Sequence, residues 1–589
     1  MAPHFADLFE HAADAFPDRV ALACENRQVT YQQLEARANR LAHYLAAAGV
    51  RPGEHVGLYA SNSIEAAETI LAACKIRAAA VNINYRYVEA ELRYMLADCD
   101  PVVLVHDRRL TPRLAAVTGS APGLRATVVI DDGSAAGRPG GPHDAGPEAP
   151  SPGIPYDEAL AAGSPERDFA PRSADDVYVI YTGGTTGYPK GVMWRHEDIW
   201  RTLAGGIDFV TGVPLPDEWE QSRRGAAGAF VSLTAAPLIH GAAQVATLGG
   251  LFGGATMVLE PRFDPDRIWQ AVQRHQVNTL VIIGDAMARP LIEAFQAGDY
   301  DASSLLAISS SAALFSPVVK QACARALPNV VITEAIGSSE TGFAGLSFVS
   351  GDAPHRGGPT VRPGPDVIVL DDDGNRAPAG QVGRLARGGH VSLGYYKDPA
   401  RTAAMLAIVD GRRYAVPGDL ARIEDDGSIT LLGRGNTCVN TGGEKVFPEE
   451  VEGALKSHDD VFDALVIGAP DERLGQRVAA LVQPRPGRVL DLAALEQHVR
   501  GLIAGYKVPR SIWLVAETHR TVSGKADYER ARRHAADRPA DYPAAVPAAR
   551  PAADDAGGRA AAAPAPVTGP AVPGSAAGDP AASGRPGPG

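Results

Sequence analysis

Val177-Tyr178-Val179-Ile180-Tyr181 runs without a break into Thr182-Gly183-Gly184-Thr185-Thr186-Gly187-Tyr188-Pro189-Lys190-Gly191, and this stretch decides the fold class. The first five residues are uninterruptedly apolar or aromatic, the pattern of a strand covered on both faces. The loop that leaves it is dense in donors. Glycines such as Gly183, Gly184 and Gly187 let backbone N–H groups approach an anion closely. Thr182, Thr185 and Thr186 add hydroxyls, and Lys190 adds a positive charge. Such a loop after a buried strand suits a polyphosphate; the bland alternative is a flexible surface turn. It is not a Walker loop, because no Gly-Lys-Ser/Thr stands at the required spacing.

Outward from this stretch, helices and strands alternate. Thr30 and Gln33 have the spacing of a capping box. Leu34, Ala38, Leu41, Leu45 and Ala48 recur at helical spacing, and Gly49 supplies a stop. Residues 55–59 and 101–105 read as strands, with a helix after Ser61 between them. Further buried strands are expected at 279–283 and 330–333. The alternation predicts an α/β fold. Near 383–395 and 428–432 the pattern changes to short strands with turns, and 437–535 suits a small α+β unit. Residues 132–154, rich in Gly, Pro, Ala and Asp, read as an exposed loop. Residues 539–589 contain no Leu, Ile, Phe, Met, Trp or Cys, and Tyr542 is their one aromatic residue. That composition buries too little apolar surface to offset ordering entropy, so a disordered tail is expected there.

The chain has 589 residues and a net charge of −13. An acidic balance argues against nucleic acid or an anionic membrane as the main partner, because both need clustered Lys and Arg. The cysteines (Cys24, Cys74, Cys99, Cys323, Cys438) are scattered, with no Cys-x-x-Cys. That argues against a disulfide framework or zinc site and for a reducing, cytoplasmic compartment. Residues 1–16 lack the basic and apolar regions of a signal peptide. Residues 225–259 carry no charged side chain, long enough to span a bilayer. Pro237, His240, Gln244 and several glycines interrupt the stretch. A buried segment lining a pocket is therefore expected, with no transmembrane helix; peripheral membrane contact stays open, and so does the oligomeric state.

Further motifs follow in order. They are Pro237-Leu238-Ile239-His240-Gly241, Ser309-Ser310-Ser311-Ala312-Ala313, Glu334-Ala335-Ile336-Gly337-Ser338-Ser339-Glu340-Thr341-Gly342, Tyr414-Ala415-Val416-Pro417-Gly418-Asp419, Gly433-Arg434, Thr441-Gly442-Gly443-Glu444-Lys445 and Thr521-Val522-Ser523-Gly524-Lys525. Read singly, His240 is a packed core histidine, Glu340 belongs to a capped helix start, and Lys445 and Lys525 are solvated lysines. Read together with the 182–191 loop, the set resembles the adenylate-forming enzymes: acyl-CoA synthetases, peptide-synthetase adenylation domains and luciferases. The resemblance covers residues 5–532.

It implies a large N-terminal domain of stacked α/β sheets with a β-rich subdomain (1–435) and a small mobile α+β C-terminal domain (436–535) hinged near Asn436. It implies ATP, Mg²⁺ and CoA as ligands. The loop from Thr182 to Lys190 would hold phosphates, and Thr185 and Glu340 would meet the metal. Ser311 and Ala312 would lie against adenine, and Ser339 would supply a hydroxyl. Ile336 stands where the family has a stacking Tyr and would cover the purine. Asp419 and Arg434 would take the ribose, and His240 and Gly337 the acid. Gly443 would border the pantetheine path, and Lys445 would meet a CoA phosphate. Lys525 would be the catalytic cation, bridging carboxylate and α-phosphate.

The implied reaction joins a carboxylic acid to AMP and then transfers the acyl group to a thiol. Residues 192–198 and 440–448 look most like a branch of fatty acyl-CoA synthetases that includes actinobacterial enzymes for long-chain acids and steroid side-chain carboxylates. A bulky lipophilic acid is the expected substrate. With no carrier domain after the tail, free CoA is the simplest acceptor. An acyl-AMP ligase loading a separate carrier protein and a non-catalytic nucleotide-binding protein are the alternatives.

Overall fold

A computed structural model describes residues 3–133, 153–182, 189–313, 315–349, 358–434, 437–441, 444–471, 474–521 and 525–543; of Arg434, Asn440 and Lys445 it describes the backbone. The phosphate-loop residues Gly183, Gly184, Thr185, Thr186 and Gly187, the expected hinge Asn436, Gly443, most of the expected 132–154 loop and the tail beyond Pro543 lie outside the described residues. Met1–Ala544 forms one compact unit.

Among the described residues the strands form four sheets. One is an all-parallel set in the order Ala79–Asn82, His55–Tyr59, Pro101–Asp107, Ala126–Ile130, Ile154–Pro155. The helices before and between these strands start where the sequence signals them. Thr30 and Gln33 close a capping box on Tyr31–Ala47, and Ser63 caps Ile64–Lys75. In the largest sheet, beyond an antiparallel edge strand Arg27–Thr30, the strands run parallel through Val20–Cys24, Thr256–Leu259, Val231–Thr234, Thr279–Ile282, Ala307–Ser311 and Val331–Ser338. At Val331–Ser338 it turns antiparallel, pairing with Gly342–Phe348, and continues into the β-rich part. That strand is longer than its apolar run suggests because the hairpin partner extends the ladder beyond Thr333.

The charge-free stretch 225–259 folds as strand Val231–Thr234, helix Gly241–Phe252 and strand Thr256–Leu259, largely buried between neighbouring elements. No helix of the described residues is long and apolar enough to cross a membrane. The strand that opened the sequence reading, Val177–Thr182, pairs antiparallel with Lys190–Arg195, to which Gly394–Tyr395 adds a third strand. Tyr178, Val179 and Ile180 are buried, as their uninterrupted apolar run requires.

Residues beyond 437 build their own sheet. Val461–Asp471 and Gly475–Pro484 are its long central pair. Ala464 and Val466 face a core with Val451, Leu455 and Leu495; Leu465 and Ile467 face another with Trp513 and Tyr528. The period of two along one strand thus supplies both faces. Order extends past the expected tail start at 539. Tyr542–Pro543 pairs with Ser511 and Ile512, and the Tyr542 hydroxyl donates to Glu496 Oε2 at 2.5 Å. The one aromatic residue of that stretch ties it down.

Candidate active site

The parallel strands lie in register, so the segments leaving their carboxyl ends gather along one edge of the sheet. This is where ligands bind in open α/β folds. The segment 235–240 leaves Val231–Thr234, Ala312 follows Ala307–Ser311, and Glu340 follows Val331–Ser338. Glu340 stands on the turn of a β-hairpin, not at the helix start that the bland reading expects. Its backbone is fixed locally: the Ser338 hydroxyl accepts from Glu340 N at 3.3 Å and Thr341 N at 3.0 Å. A Cβ on Gly337 would collide with the Gly342 carbonyl oxygen, so this bulged hairpin can close only over glycine.

The hairpin meets the phosphate-loop sheet. Trp194 Nε1 donates to Ser339 O at 2.8 Å, and the Tyr395 hydroxyl donates to Glu340 Oε1 at 2.9 Å. Lys190 Nζ lies 5.1 Å from the centroid of the Tyr395 ring. Thr182 and Lys190 are paired across their ladder, which closes the loop between them. The loop's two ends, Lys190 and the 6 %-exposed Glu340 therefore share one corner.

Three polar residues that the sequence reading passed over hold the floor of this corner. Asn82 accepts from Tyr181 N at 2.9 Å and donates to Tyr181 O at 2.8 Å and to Ile239 O. Asn62 accepts from Leu238 N at 2.6 Å and donates to Ala236 O at 3.3 Å. Gln244 Nε2 donates to Leu238 O at 2.8 Å, and Tyr178 OH donates to Gln244 Oε1 at 2.8 Å. Asn82 thus joins the end of the phosphate-loop strand to the His240 segment. The available signal was an uncharged amide inside an apolar buried run (Ala78-Ala79-Ala80-Val81-Asn82-Ile83), since buried amides need partners.

His240 is half-buried; its Nε2 is buried and has no hydrogen-bond partner among the described residues. Burial first, then the positive charges of Lys525 and Arg86, lower its pKa to about 3. The ring is neutral at physiological pH and faces two cations, so it can line a pocket for an anion but cannot act as a general acid there. Lys525 is thus near enough to His240 for its charge to act on the ring. Lys525 rides a tight hairpin in which Thr521 N donates to Lys525 O at 2.7 Å and Asp527 N donates to His519 O at 2.9 Å.

Ala312 holds φ +66°, an uncommon conformation for a residue with a Cβ, directly after Ser311. Its exposed side chain bounds the same edge. Half-buried Asp419 sits opposite Arg434 in the ladder register. Lys445 pairs through its backbone with Asn440. Ile336 is buried in the β-rich core with Ala344, Val361 and Leu385. Its position on the inward face of Val331–Ser338 dictates this.

Comparison with known proteins supplies context for this arrangement. The family model described as AMP-binding enzyme matches residues 9–396, and that described as AMP-binding enzyme C-terminal domain matches residues 450–525. A Mycobacterium tuberculosis protein named medium/long-chain-fatty-acid–CoA/3-oxocholest-4-en-26-oate–CoA ligase is 51% identical over 92% of this chain and 97% of its own length. The 3-oxocholest-4-en-26-oate–CoA ligase of Rhodococcus rhodochrous is 50% identical over 92% of this chain and 97% of its own. Among solved structures, the anthranilate CoA ligase AuaEII with anthranoyl-AMP superposes with a TM-score of 0.75 at 24% identity, over 91% of this chain and 98% of that one. ATP-bound MatB from Rhodopseudomonas palustris gives 0.74 at 25% identity, over 90% and 98%.

Proposed function

Because this chain belongs to the AMP-binding enzyme family, we propose that it is an AMP-forming acyl-CoA synthetase for a bulky lipophilic acid, a long-chain fatty acid or a steroid side-chain carboxylate. ATP and the acid give acyl-adenylate and diphosphate; CoA then takes the acyl group and releases AMP. The carrying observation is the convergence of the phosphate-loop ends, Lys190, the Tyr395–Glu340 pair, His240 and the reach of Lys525 on one edge of the sheet.

The difficulty of the first step is that two anions must meet. A carboxylate is already ionised near neutral pH, so no base is needed. Catalysis then lies in fixed donors and cations aimed at the charge that develops. Lys525 bridges carboxylate and α-phosphate, and the loop residues Thr182, Gly183, Gly184, Thr185, Thr186, Gly187 and Lys190 hold the leaving diphosphate. Ser311 and Ala312 border adenine, Ser339 adds a hydroxyl, and Asp419 and Arg434 take the ribose. His240 and Gly337 bound the acid.

Glu340 is one hard carboxylate, a ligand type that suits Mg²⁺, which keeps water and phosphate oxygens as most of its ligands. Glu340 and Thr185 would hold it, and when bound it supplies positive charge to the phosphates. The lobe beyond residue 436 turns between steps, withdrawing Lys525 and bringing in Gly443 and Lys445 for CoA.

The test is release of AMP from ATP by the full-length protein with a panel of carboxylic acids, with CoA and, separately, with a holo-carrier protein. CoA-dependent AMP release with long-chain fatty acids or with steroid acids that carry a side-chain carboxylate supports the reading. Turnover with the carrier alone would replace it with an acyl-AMP ligase, and no ³²P-diphosphate exchange into ATP with any acid would overturn it.

A further inference from the structure

The helix Gly284–Ala297 presents Asp285, Arg289 and Glu293 at spacings of four, on one face. Each meets the lobe beyond residue 436. Lys456 Nζ, at the last turn of Pro448–Lys456, lies 2.8 Å from Asp285 Oδ2, and the two side chains are 1 % and 8 % exposed. Arg289 lies over the Phe462 ring, 5.6 Å from its centroid. At the rim, Arg485 donates to Glu293 at 2.9 Å. The other oxygen of Asp285 accepts from Ser316 N at 2.8 Å, so its carboxylate is held by the large lobe itself.

The contact does not stop at the interface. Next to Phe462, Asp463 accepts from Arg520 Nη2 at 2.8 Å and from the Thr518 hydroxyl. Arg520 is paired with Ala526 across the hairpin whose next strand residue is Lys525. Glu452 and Asp463 each feel the charges of Arg520 and Lys456, and Arg520 in turn feels Asp285. A charged, largely buried chain therefore runs from the large lobe to the hairpin that carries the cation.

We propose that Asp285 and Lys456 are positioning residues that register the small lobe for adenylation, with Asp463 and Arg520 passing that register to the hairpin of Lys525. The inference rests on the adenylation reading above. A buried ion pair gains little over its hydrated parts, yet leaving one partner buried alone is costly. Such a pair suits an interface that must form in one orientation and still come apart: separation of the lobes returns both charges to water. An apolar contact of the same area would hold the lobes without choosing their angle.

Two half-reactions of the full-length enzyme separate this role from general stability. Diphosphate exchange into ATP reads the adenylating arrangement; CoA consumption from supplied acyl-adenylate reads the other. In Asp285→Asn and in Lys456→Met, exchange falls about tenfold, within the range usual for coupling between two structural states, through kcat with KM for ATP little changed. Thioester formation from acyl-adenylate stays near wild type, which also shows that the variants fold. The double variant, Asp285→Asn with Lys456→Met, loses no more than either single, as a shared contact requires. Equal loss in both half-reactions, or losses that multiply in the double variant, overturns the inference. Wild-type enzyme and Lys525→Ala run alongside. If wild type exchanges and Lys525→Ala does not, while Asp285→Asn matches wild type, the inference fails and the functional reading stands. If wild type never exchanges, both fail.

Discussion

The two lysines proposed to serve the site, Lys190 and Lys525, stand on opposite kinds of support. Lys190 opens a strand of a three-stranded sheet whose neighbours Val192 and Trp194 are fully buried, and a backbone ladder pairs it with Thr182. Lys525 stands on a short hairpin anchored by a guanidinium to a buried carboxylate, within the chain of charges that ends at Asp285. Ladder bonds and apolar burial are lost only on unfolding. Ion pairs between lobes exchange for hydration whenever the lobes part, at small net cost. On the proposed reading, the cation at the diphosphate end is built to stay, and the cation at the reacting carboxylate is built to arrive and leave.

The sharpest way to break this contrast is to remove the visiting cation. Lys525→Ala should lose about 3–4 kcal/mol of transition-state stabilisation, a hundred- to thousandfold drop in diphosphate exchange. Thioester formation from supplied acyl-adenylate should be largely spared. Parallel loss of both steps, measured in the same preparation, would mean that Lys525 does not act in one arrangement only.

The permanent side is tested through its floor. Asn82→Leu keeps the size of the side chain but leaves Tyr181 N, Tyr181 O and Ile239 O without their partner. Buried orphans of this kind cost about 1–3 kcal/mol each, so the melting temperature should drop by roughly 5–10 °C. KM for ATP and for the acid should rise together, because one amide ties both segments. Unchanged melting with a rise in only one KM would show that the amide does not couple them.

How much of this was legible in the sequence follows the same division. The 177–191 strand and loop carry their chemistry within a dozen or so residues, and Glu340 and Lys525 lie in short motifs whose order supplies the rest. Asn82 was not legible as a site residue because its partners lie 99 and 157 residues away in the chain. The Asp285–Lys456 pair joins positions 171 apart, and neither residue lies in any phosphate-binding motif. The surroundings of Ile336 were hidden for a different reason. Alternation places it on the inward face of its strand, and the hairpin partner Gly342–Phe348, invisible to a local reading, makes that face a core.

The smallest effect concerns a carboxyl at the seam between the two kinds of support. Glu449, in the first turn of Pro448–Lys456, sits over Gly433, where a Cβ would collide with its carboxyl group. Its Oε2 is buried and has no hydrogen-bond partner among the described residues. Burial first, then the charges of Glu452 on its own helix and Asp419 on the facing strand, raise its pKa to about 8; Lys456 opposes them, and Tyr528 faces it from Tyr528–Asp537. The folded state therefore holds a proton that the unfolded chain releases above its ordinary value of 4.5. Between that value and about 8 the native form binds more protons, so stability declines as pH rises through this window and levels off above it. Glu449→Gln keeps the protonated shape and cannot ionise. Its melting temperature should match wild type near pH 5 and exceed it by a few degrees at pH 8.5. A variant that melts lower than wild type at pH 8.5 would show that the carboxylate is welcome in its ionised form, and that the seam is held by its charge and not in spite of it.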